Sequence, residues 1–254
     1  MKDGIDLEID GDLAVITINR PAARNALDVQ AADDFGDAVA AIEADDGVAA
    51  VVLTGAGGVF CAGADLREMA DTGAVYRPWA GADGPLAKPC TKPVIAAVEG
   101  HAVAGGLGVA LWADLRVASE TAVFGVFCRR FGVPMSDGTP TRLPHVIGRA
   151  RALDMLLTGR PVDGEEALRI GLADRLVAAG TALANAKALA RDIAQFPPLA
   201  MRADRIAAWQ AFDGDEATRL IDEDQGAQAA KAKEAAAGAA RFKAGAGRGG
   251  EFGE

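Results

Sequence analysis

Continuous hydrophobic stretches and amphipathic stretches alternate along the first half of the chain. Residues 5–19 alternate between apolar and polar side chains, which predicts two short strands joined at Asp10 and Gly11. The following apolar positions, Leu27, Phe35, Val39 and Ile42, suit one face of a helix. Residues 48–54 form a continuous apolar run of strand length. Such a run between helices is typical of a strand buried on both faces of a parallel sheet.

The same order of strand, turn and helix then recurs. The pattern predicts helices at residues 66–70 and 107–112, strands at residues 93–99, 115–119 and around Phe124, and a mobile connection at residues 71–91. A recurring strand–turn–helix order predicts an α/β fold of βαβ-type units with right-handed crossovers.

Beyond Thr139 the strand patterns fade and helical ones take over. Helices are predicted at residues 150–157, 164–170, 181–194 and 198–212, followed by a helix-prone stretch at 215–240 and a flexible glycine-rich tail at 245–254. We therefore expect a core at residues 1–195 and a helical region at residues 196–254. The helical region has few large apolar residues, so we expect it to pack on the core or on another subunit.

Composition and charge narrow the function classes. The formal net charge is −10 and no basic run is present, which argues against nucleic-acid binding. No run approaches the roughly 18 apolar residues of a membrane span, and the first residues lack the apolar segment of a signal peptide. A soluble, cytoplasmic protein with no nucleic-acid or membrane partner is expected. The three cysteines, an odd number, argue against a disulfide framework, and no motif predicts a metal or redox cofactor.

Two glycine-bearing turns carry the candidate chemistry. Residues 60–66 (FCAGADL) and 100–106 (GHAVAGG) each follow a predicted strand and precede a predicted helix. The first amides of a helix are free and carry partial positive charge, so they favour a bound anion, and glycine allows close approach. Close helix packing is the alternative explanation of Gly105 and Gly106. Two converging donors can hold a thioester oxygen as it becomes an enolate.

Several motifs together resemble the crotonase (enoyl-CoA hydratase/isomerase) superfamily. They are NRP at residues 19–21, NAL at 25–27, FCAGADL at 60–66, KPVIAAV at 92–98 with Gly100, TGR at 158–160, and Ala167 with GLA at 171–173. The match covers residues 5–200. The resemblance implies a spiral of ββα units with a helical C-terminal trimerisation region, assembled as a homotrimer or dimer of trimers. It also implies an acyl-CoA thioester ligand, in which coenzyme A belongs to the substrate and is no separate cofactor.

The resemblance also assigns site residues. The amides of Ala64 and Gly105 would be the oxyanion donors. The candidate CoA-binding residues are Ala23, Arg24, Ala26, Ala62, Asp65, Leu66, His101 and Gly106, with Arg24 as the phosphate contact. Asp65 and Asp114 follow the family as structural carboxylates. His101 is expected to reach the thioester or phosphates, or else to form hydrogen bonds in the pocket wall.

This chain departs from the family at both catalytic glutamates. In hydratases of the family one carboxylate stands at the position of Gly108 and the other at the position of Cys128. General acid–base catalysis typically raises a reaction rate by about 10²–10⁴-fold, so we expect the hydration rate to be low without these carboxylates. Asp137 is the leading replacement acid–base residue, and capping of the following helix is its alternative role. Cys128 is expected to be either a thiolate favoured by Arg129 and Arg130 or a buried, inert thiol.

The expected function is that of an acyl-CoA enzyme of the hydratase/isomerase type. A single carboxylate fits isomerisation, or another reaction through an enolate, better than it fits hydration. The alternative is a protein of the same fold that binds acyl-CoA without turning it over.

Overall fold

The structure, a computed structural model, describes residues 4–73 and 79–244. Part of the predicted mobile connection, residues 74–78, and the predicted flexible tail, residues 245–254, lie outside the described residues. The chain divides into two compact units, residues 1–193 and 194–254.

The first unit alternates strands and helices. In chain order it contains β1 (Gly4–Asp10), β2 (Leu13–Asn19), α1 (Val29–Ala44), β3 (Ala50–Gly55), α2 (Leu66–Thr72), β4 (Val94–Val98), β5 (His101–Val103), α3 (Gly105–Trp112), β6 (Leu115–Ser119), β7 (Val123–Gly125), α4 (Thr139–Ile147), α5 (Arg149–Thr158), β8 (Val162–Asp163), α6 (Gly164–Ile170), β9 (Arg175–Val177) and α7 (Ala182–Ala194). Short 3-10 turns lie at Pro21–Ala23, Ala56–Gly58 and Phe127–Phe131.

Two sheets organise this unit. The larger has the strand order β1-β2-β3-β4-β6-β9, antiparallel between β1 and β2 and parallel elsewhere. The smaller has the order β5-β7-β8. All five residues of β4 are buried, and so are the first five of β3, as the continuous apolar runs predict. The α/β prediction is therefore confirmed.

The core lies between the larger sheet and the helices that cover it. Phe35 of α1 meets Trp112 of α3 edge to face, with ring centroids 5.8 Å apart. The Trp112 indole N–H donates to the carbonyl of Lys88 at 2.7 Å, which satisfies the polar end of a fully buried ring. This packing anchors the C-terminal end of α3, the helix that begins at Gly105, in the core.

The second unit consists of α8 (Pro198–Gln210), α9 (Glu216–Lys233) and α10 (Ala235–Lys243). The stretch predicted to be helix-prone, residues 215–240, is helical and contains a break between α9 and α10. The break falls at Glu234, whose carboxylate accepts the amides of Leu199 and Ala200 at the start of α8. This cap is a tertiary contact, so a local pattern does not predict it.

The expectation that strands end before Thr139 is wrong. β8 has two residues and β9 has three, and both pair with strands from earlier in the chain. Strands this short show no periodicity of their own. Within the described ranges, no helix is long and apolar enough to cross a membrane.

Candidate functional site

The two glycine turns lie against each other. The Cys61 amide donates to the His101 carbonyl at 2.9 Å, and the Val103 amide donates to the Cys61 carbonyl at 3.0 Å. Gly63 has φ +94°, and a Cβ added there would lie 2.6 Å from the Gly105 nitrogen. Glycine is therefore required at residue 63, both for its backbone conformation and for its approach to α3.

Two amides at this junction stand out because they are unused. Neither the Ala64 amide nor the Gly105 amide donates to an acceptor within the described part of the chain. The neighbouring amides are engaged: Ala62 donates to Arg24 at 3.2 Å, Asp65 to Leu27 at 2.9 Å and Ala104 to Gly125 at 2.8 Å, in each case to the carbonyl oxygen.

The residue before α3 has an unusual backbone conformation. Ala104 has φ +50° and ψ −128°, which a residue with a side chain rarely adopts. Such conformations persist only where the surroundings enforce them, and they cluster at functional sites. Here the strained residue directly precedes the free amide of Gly105.

A cavity of about 310 Å³ opens beside these amides. Ala64 and Gly105 line it together with the segment that follows β7. Its walls are mainly apolar, and Asp137 carries the only charged side chain among the described lining residues.

The carboxyl group of Asp137 fills the space beside Gly108. A Cβ on Gly108 would lie 2.6 Å from the Asp137 Cβ and 2.8 Å from its Oδ2, and would contact the carboxyl carbon even more closely. Real Cβ atoms do not approach other atoms this closely. A side chain at residue 108 and the observed position of Asp137 are therefore mutually exclusive.

Asp137 is both anchored and buried. Its Oδ1 accepts the Thr139 amide at 2.9 Å at the start of α4, so the expected capping contact is present. The same residue lines the cavity, so the capping contact does not remove it from the candidate site. Burial raises the pKa of the Asp137 carboxyl group, although the Thr139 amide and the Arg142 charge act in the opposite direction.

Cys128 lines the cavity, and its surroundings favour the buried, inert thiol over the thiolate among the two alternatives. Burial raises the pKa of its thiol, and the charge of Asp137 acts in the same direction. Arg129 opposes these effects but does not reverse them. The Cys128 Sγ lies 2.9 Å from the Sδ of Met135, in a sulfur-rich part of the wall.

The candidate CoA-binding residues fall into two groups. Ala62 and Leu66 line the cavity, and Ala23, Arg24 and Ala26 lie on the adjoining loop, whose Arg24 carbonyl accepts the Ala62 amide. Arg24 is exposed, Ala23 is half-buried and Ala26 is buried.

The other candidates have different surroundings. His101 is exposed and is not among the described residues that line the cavity. Gly106 is buried, and a Cβ there would lie 2.9 Å from the Cys61 Cβ, so this glycine permits close packing of the two turns.

Both expected structural carboxylates hold backbone groups in place. Asp65 accepts the Arg67 amide at the start of α2, and its other oxygen lies 3.2 Å from Arg20. Asp114 accepts the Val94 amide at 2.7 Å.

Three residues around the cavity were not identified from the sequence. Arg20 pairs with Asp28 at 2.6 Å as well as with Asp65, so it ties the 20–28 loop to the residue that follows Ala64. Trp79 and Phe127 line the cavity. A Cβ on Gly105 would lie 2.5 Å from the Trp79 ring, and one on Gly125 would lie 2.7 Å from the Phe127 Cδ1. In the sequence, only Gly105 and Gly125 pointed to these two rings. A glycine indicates a position with no side chain, but it does not show which ring packs there.

The comparisons with known proteins agree with this geometry. The family model described as enoyl-CoA hydratase/isomerase matches residues 8–244. The chain is 40% identical over 214 residues, 83% of each chain, to the "Probable enoyl-CoA hydratase echA8" of Mycobacterium leprae. It is 35% identical to the short-chain-enoyl-CoA hydratase of Clostridium acetobutylicum, over 88% of this chain and 87% of the relative. The crystal structure of an enoyl-CoA hydratase from Mycobacterium tuberculosis superposes with a TM-score of 0.89 at 34% identity, covering 96% of each chain.

The fold and the site thus define a class of protein: an α/β protein in which two glycine turns contact each other beside an apolar cavity. The chain belongs to the enoyl-CoA hydratase/isomerase family, within the crotonase superfamily. The expected crotonase-like fold is confirmed by the structural neighbours.

Proposed function

We propose that this protein binds an enoyl-CoA thioester and moves its double bond by a proton shuttle through Asp137. The observation that carries the proposal is that the Asp137 carboxyl group occupies the space that a side chain on Gly108 would need. The family position that would bear a glutamate is empty of side chain, and a carboxyl group from another segment occupies the adjoining volume.

The unused amides of Ala64 and Gly105 would hold the thioester oxygen. They flank the same cavity wall, and Gly63 brings their two turns together. Removal of one such donor typically lowers transition-state stabilisation by about 2.7–4 kcal/mol. A convergent pair would therefore be the main catalytic asset of the site.

Asp137 would act one helical turn away from this oxyanion site. Gly105 and Gly108 are three residues apart in α3, so they lie on the same face and are separated by about 4.5 Å along the axis. The carboxyl group packed on Gly108 therefore lies at a separation that suits the carbons next to a thioester carbonyl. Burial raises the pKa of this carboxyl group, which makes its carboxylate a stronger proton acceptor than that of an ordinary aspartate.

The proposed isomerisation needs only the substrate and the carboxylate of Asp137. Asp137 removes a proton from the α-carbon of a 3-enoyl thioester, and the electron pair of the broken C–H bond enters the conjugated system. The thioester oxygen takes up the negative charge between the two amides. The protonated Asp137 then returns the proton to the γ-carbon, which leaves a 2-enoyl thioester and restores the carboxylate. No water and no oxidant are consumed.

Hydration would need a second acid–base group to prepare a water molecule. The family position for that group holds Cys128, whose raised thiol pKa keeps it protonated at neutral pH. We therefore propose that isomerisation is faster than hydration in this protein.

The remaining expectations form part of the same proposal. Exposed Arg24 would contact the phosphates of coenzyme A, and the reaction would need no further cofactor.

Assembly as a homotrimer or dimer of trimers is supported by exposed apolar side chains such as Leu153 and Leu157. Sedimentation equilibrium would test the assembly.

The test compares wild-type protein, Asp137→Asn and the exposed-site control Asp46→Asn in two assays. One follows conversion of 3-enoyl-CoA to 2-enoyl-CoA, and the other follows hydration of 2-enoyl-CoA. We expect Asp137→Asn to lower kcat for isomerisation by about 10²–10⁴-fold with little change in KM. Full isomerase activity in Asp137→Asn, or hydration faster than isomerisation in the wild type, would overturn the proposal.

A non-catalytic acyl-CoA-binding protein is the second candidate. It is favoured by the hydrogen bond from the Thr139 amide to Asp137, which gives the carboxylate a structural role independent of chemistry. Tight binding of enoyl-CoA by the wild type without turnover in either assay would select this alternative.

A further inference from the structure

The wall of the cavity is unusually aromatic for this chain. Aromatic residues make up 5% of the sequence, yet three of the fifteen described lining residues, Trp79, Phe127 and Phe131, are aromatic. Two of the five methionines, Met69 and Met135, line it as well. Rings and thioethers both make favourable contacts with an aromatic group.

Phe127 is held in position before any ligand binds. The absence of a side chain on Gly125 leaves room for its ring, whose Cδ1 lies 2.7 Å from where a Cβ would stand. The Arg130 guanidinium lies 4.2 Å from the ring centroid. A cation at this distance from a ring is attracted to it, which adds to the fixation.

Trp79 is held in a similar way at the oxyanion end. Its ring occupies the space beside Gly105 and is 6% exposed. The amide of the next residue, Ala80, donates to the Ser136 carbonyl at 3.2 Å, which joins this segment to the loop that carries Asp137. One aromatic side chain of the cavity wall, Trp79, therefore lies beside the proposed thioester site, and two more, Phe127 and Phe131, belong to the segment that follows β7.

Phe131 adds a third ring, which is largely exposed to solvent in the folded chain. It is 68% exposed although it lines the cavity. A large apolar side chain left in solvent at a cavity wall offers apolar area that a ligand can cover.

The volume suits a ring plus a short connecting chain. An apolar cavity of about 150 Å³ lined by aliphatic and aromatic side chains binds benzene. At about 310 Å³ this cavity is roughly twice that size. It therefore has room for a phenyl group and for the carbons that link it to a thioester.

We propose that the acyl group of the preferred ligand is aryl-bearing, a phenyl ring two or three carbons from the thioester, and that Phe127 and Phe131 select it. This inference rests on the proposed function only in taking the ligand to be a CoA thioester. An aromatic pair contributes about 2- to 12-fold in affinity beyond buried area, which is about 0.5–1.5 kcal/mol at 1.4 kcal/mol per tenfold.

The test is equilibrium binding of saturated thioesters, which the proposed isomerisation cannot convert. Isothermal titration calorimetry would compare 3-phenylpropionyl-CoA, octanoyl-CoA and butyryl-CoA on the wild-type protein. We expect 3-phenylpropionyl-CoA to bind about 2- to 12-fold more tightly than octanoyl-CoA, and butyryl-CoA to bind most weakly. Octanoyl-CoA binding as tightly as the phenyl compound, or more tightly, would overturn the inference.

Variants identify the rings responsible. Phe131→Leu keeps an apolar side chain at an exposed position and is expected to reduce the preference for phenyl over octanoyl at least twofold. Phe127→Leu is expected to do the same, whereas Phe212→Leu, an exposed ring outside the cavity lining, should leave the preference unchanged. An unchanged preference in both cavity variants would contradict the selection by these rings.

The outcomes separate this inference from the proposed function. Equal binding of all three thioesters would refute the aryl preference and leave acyl-CoA binding intact. Failure of every thioester and of coenzyme A itself to bind would refute both.

Discussion

The Cβ of Asp137 lies 2.6 Å from the point that a Cβ on Gly108 would occupy. The two residues belong to different elements, α3 and the loop before α4. The absence of a side chain at Gly108 therefore provides the space that admits the carboxyl group of Asp137.

Gly108→Ala is expected to destabilise the protein by about 1–3 kcal/mol, because the added methyl group overpacks the space held by Asp137. Urea unfolding measures the change. The matched control is Gly226→Ala in α9, where nothing lies within 4 Å of the new Cβ and a gain of about 0.5–1 kcal/mol is expected.

The same pair can be tested by a double-mutant cycle. Asp137→Gly removes the atoms that collide with residue 108, so Gly108→Ala should be less destabilising on that background than in the wild type. Strictly additive effects would show that the two side chains do not compete for one space.

Gly63→Ala is expected to lower catalytic efficiency by about 10²–10³-fold, because the new Cβ would displace the Gly105 amide. Steady-state kinetics measures the loss. Gly73→Ala is the control, since Gly73 also has a positive φ, +69°, but nothing lies within 4 Å of its Cβ position. Both variants carry backbone strain, and only Gly63→Ala should impair activity; equal losses would assign the effect to strain alone.

Asp137→Asn is expected to raise the thermal midpoint of unfolding at neutral pH. Burial raises the pKa of this carboxyl group, so the folded state binds its proton more tightly than the unfolded state does. The contribution of Asp137 to stability is therefore fully present below the ordinary carboxyl pKa and is lost as the pH rises through the raised one. The advantage of Asp137→Asn over the wild type should grow with pH across that interval and vanish in acid. Thermal melts at several pH values measure it, and an advantage independent of pH would contradict the assignment.

The cysteines are expected to be unreactive in the folded protein. Cys61, Cys90 and Cys128 are buried and form no disulfide bond, and burial raises the pKa of Cys61 to about 12. At pH 8 the thiolate fraction of Cys61 is then about one part in 10⁴. Titration with a thiol reagent should detect almost no reaction until urea is added, after which three thiols per chain react. Rapid reaction of Cys128 in the native protein would revive its role as a nucleophile.

Much of the first unit could be predicted from local pattern. Strands β3 and β4 are continuous apolar runs because both of their faces are buried. Strands β8 and β9 were not predicted because they are too short to show the alternation of apolar and polar residues that marks a strand. They form by pairing, β8 with β7 and β9 with β6. Helix α4 follows Asp137 as expected, although Pro140 and Pro144 weaken its helical pattern in the sequence.

The sequence by itself determined the family, the α/β fold and the two glycine turns, because these depend on residue type, spacing and hydrophobic period. Its resemblance to the family also predicts that Gly108 and Cys128 replace the usual glutamates. Only the tertiary structure decided that Asp137 fills the space beside Gly108 and that Phe127 packs beside Gly125. A glycine in a sequence shows where a side chain is missing. Which group enters that space depends on segments far apart in the chain, and these meet only when the sheets and helices pack.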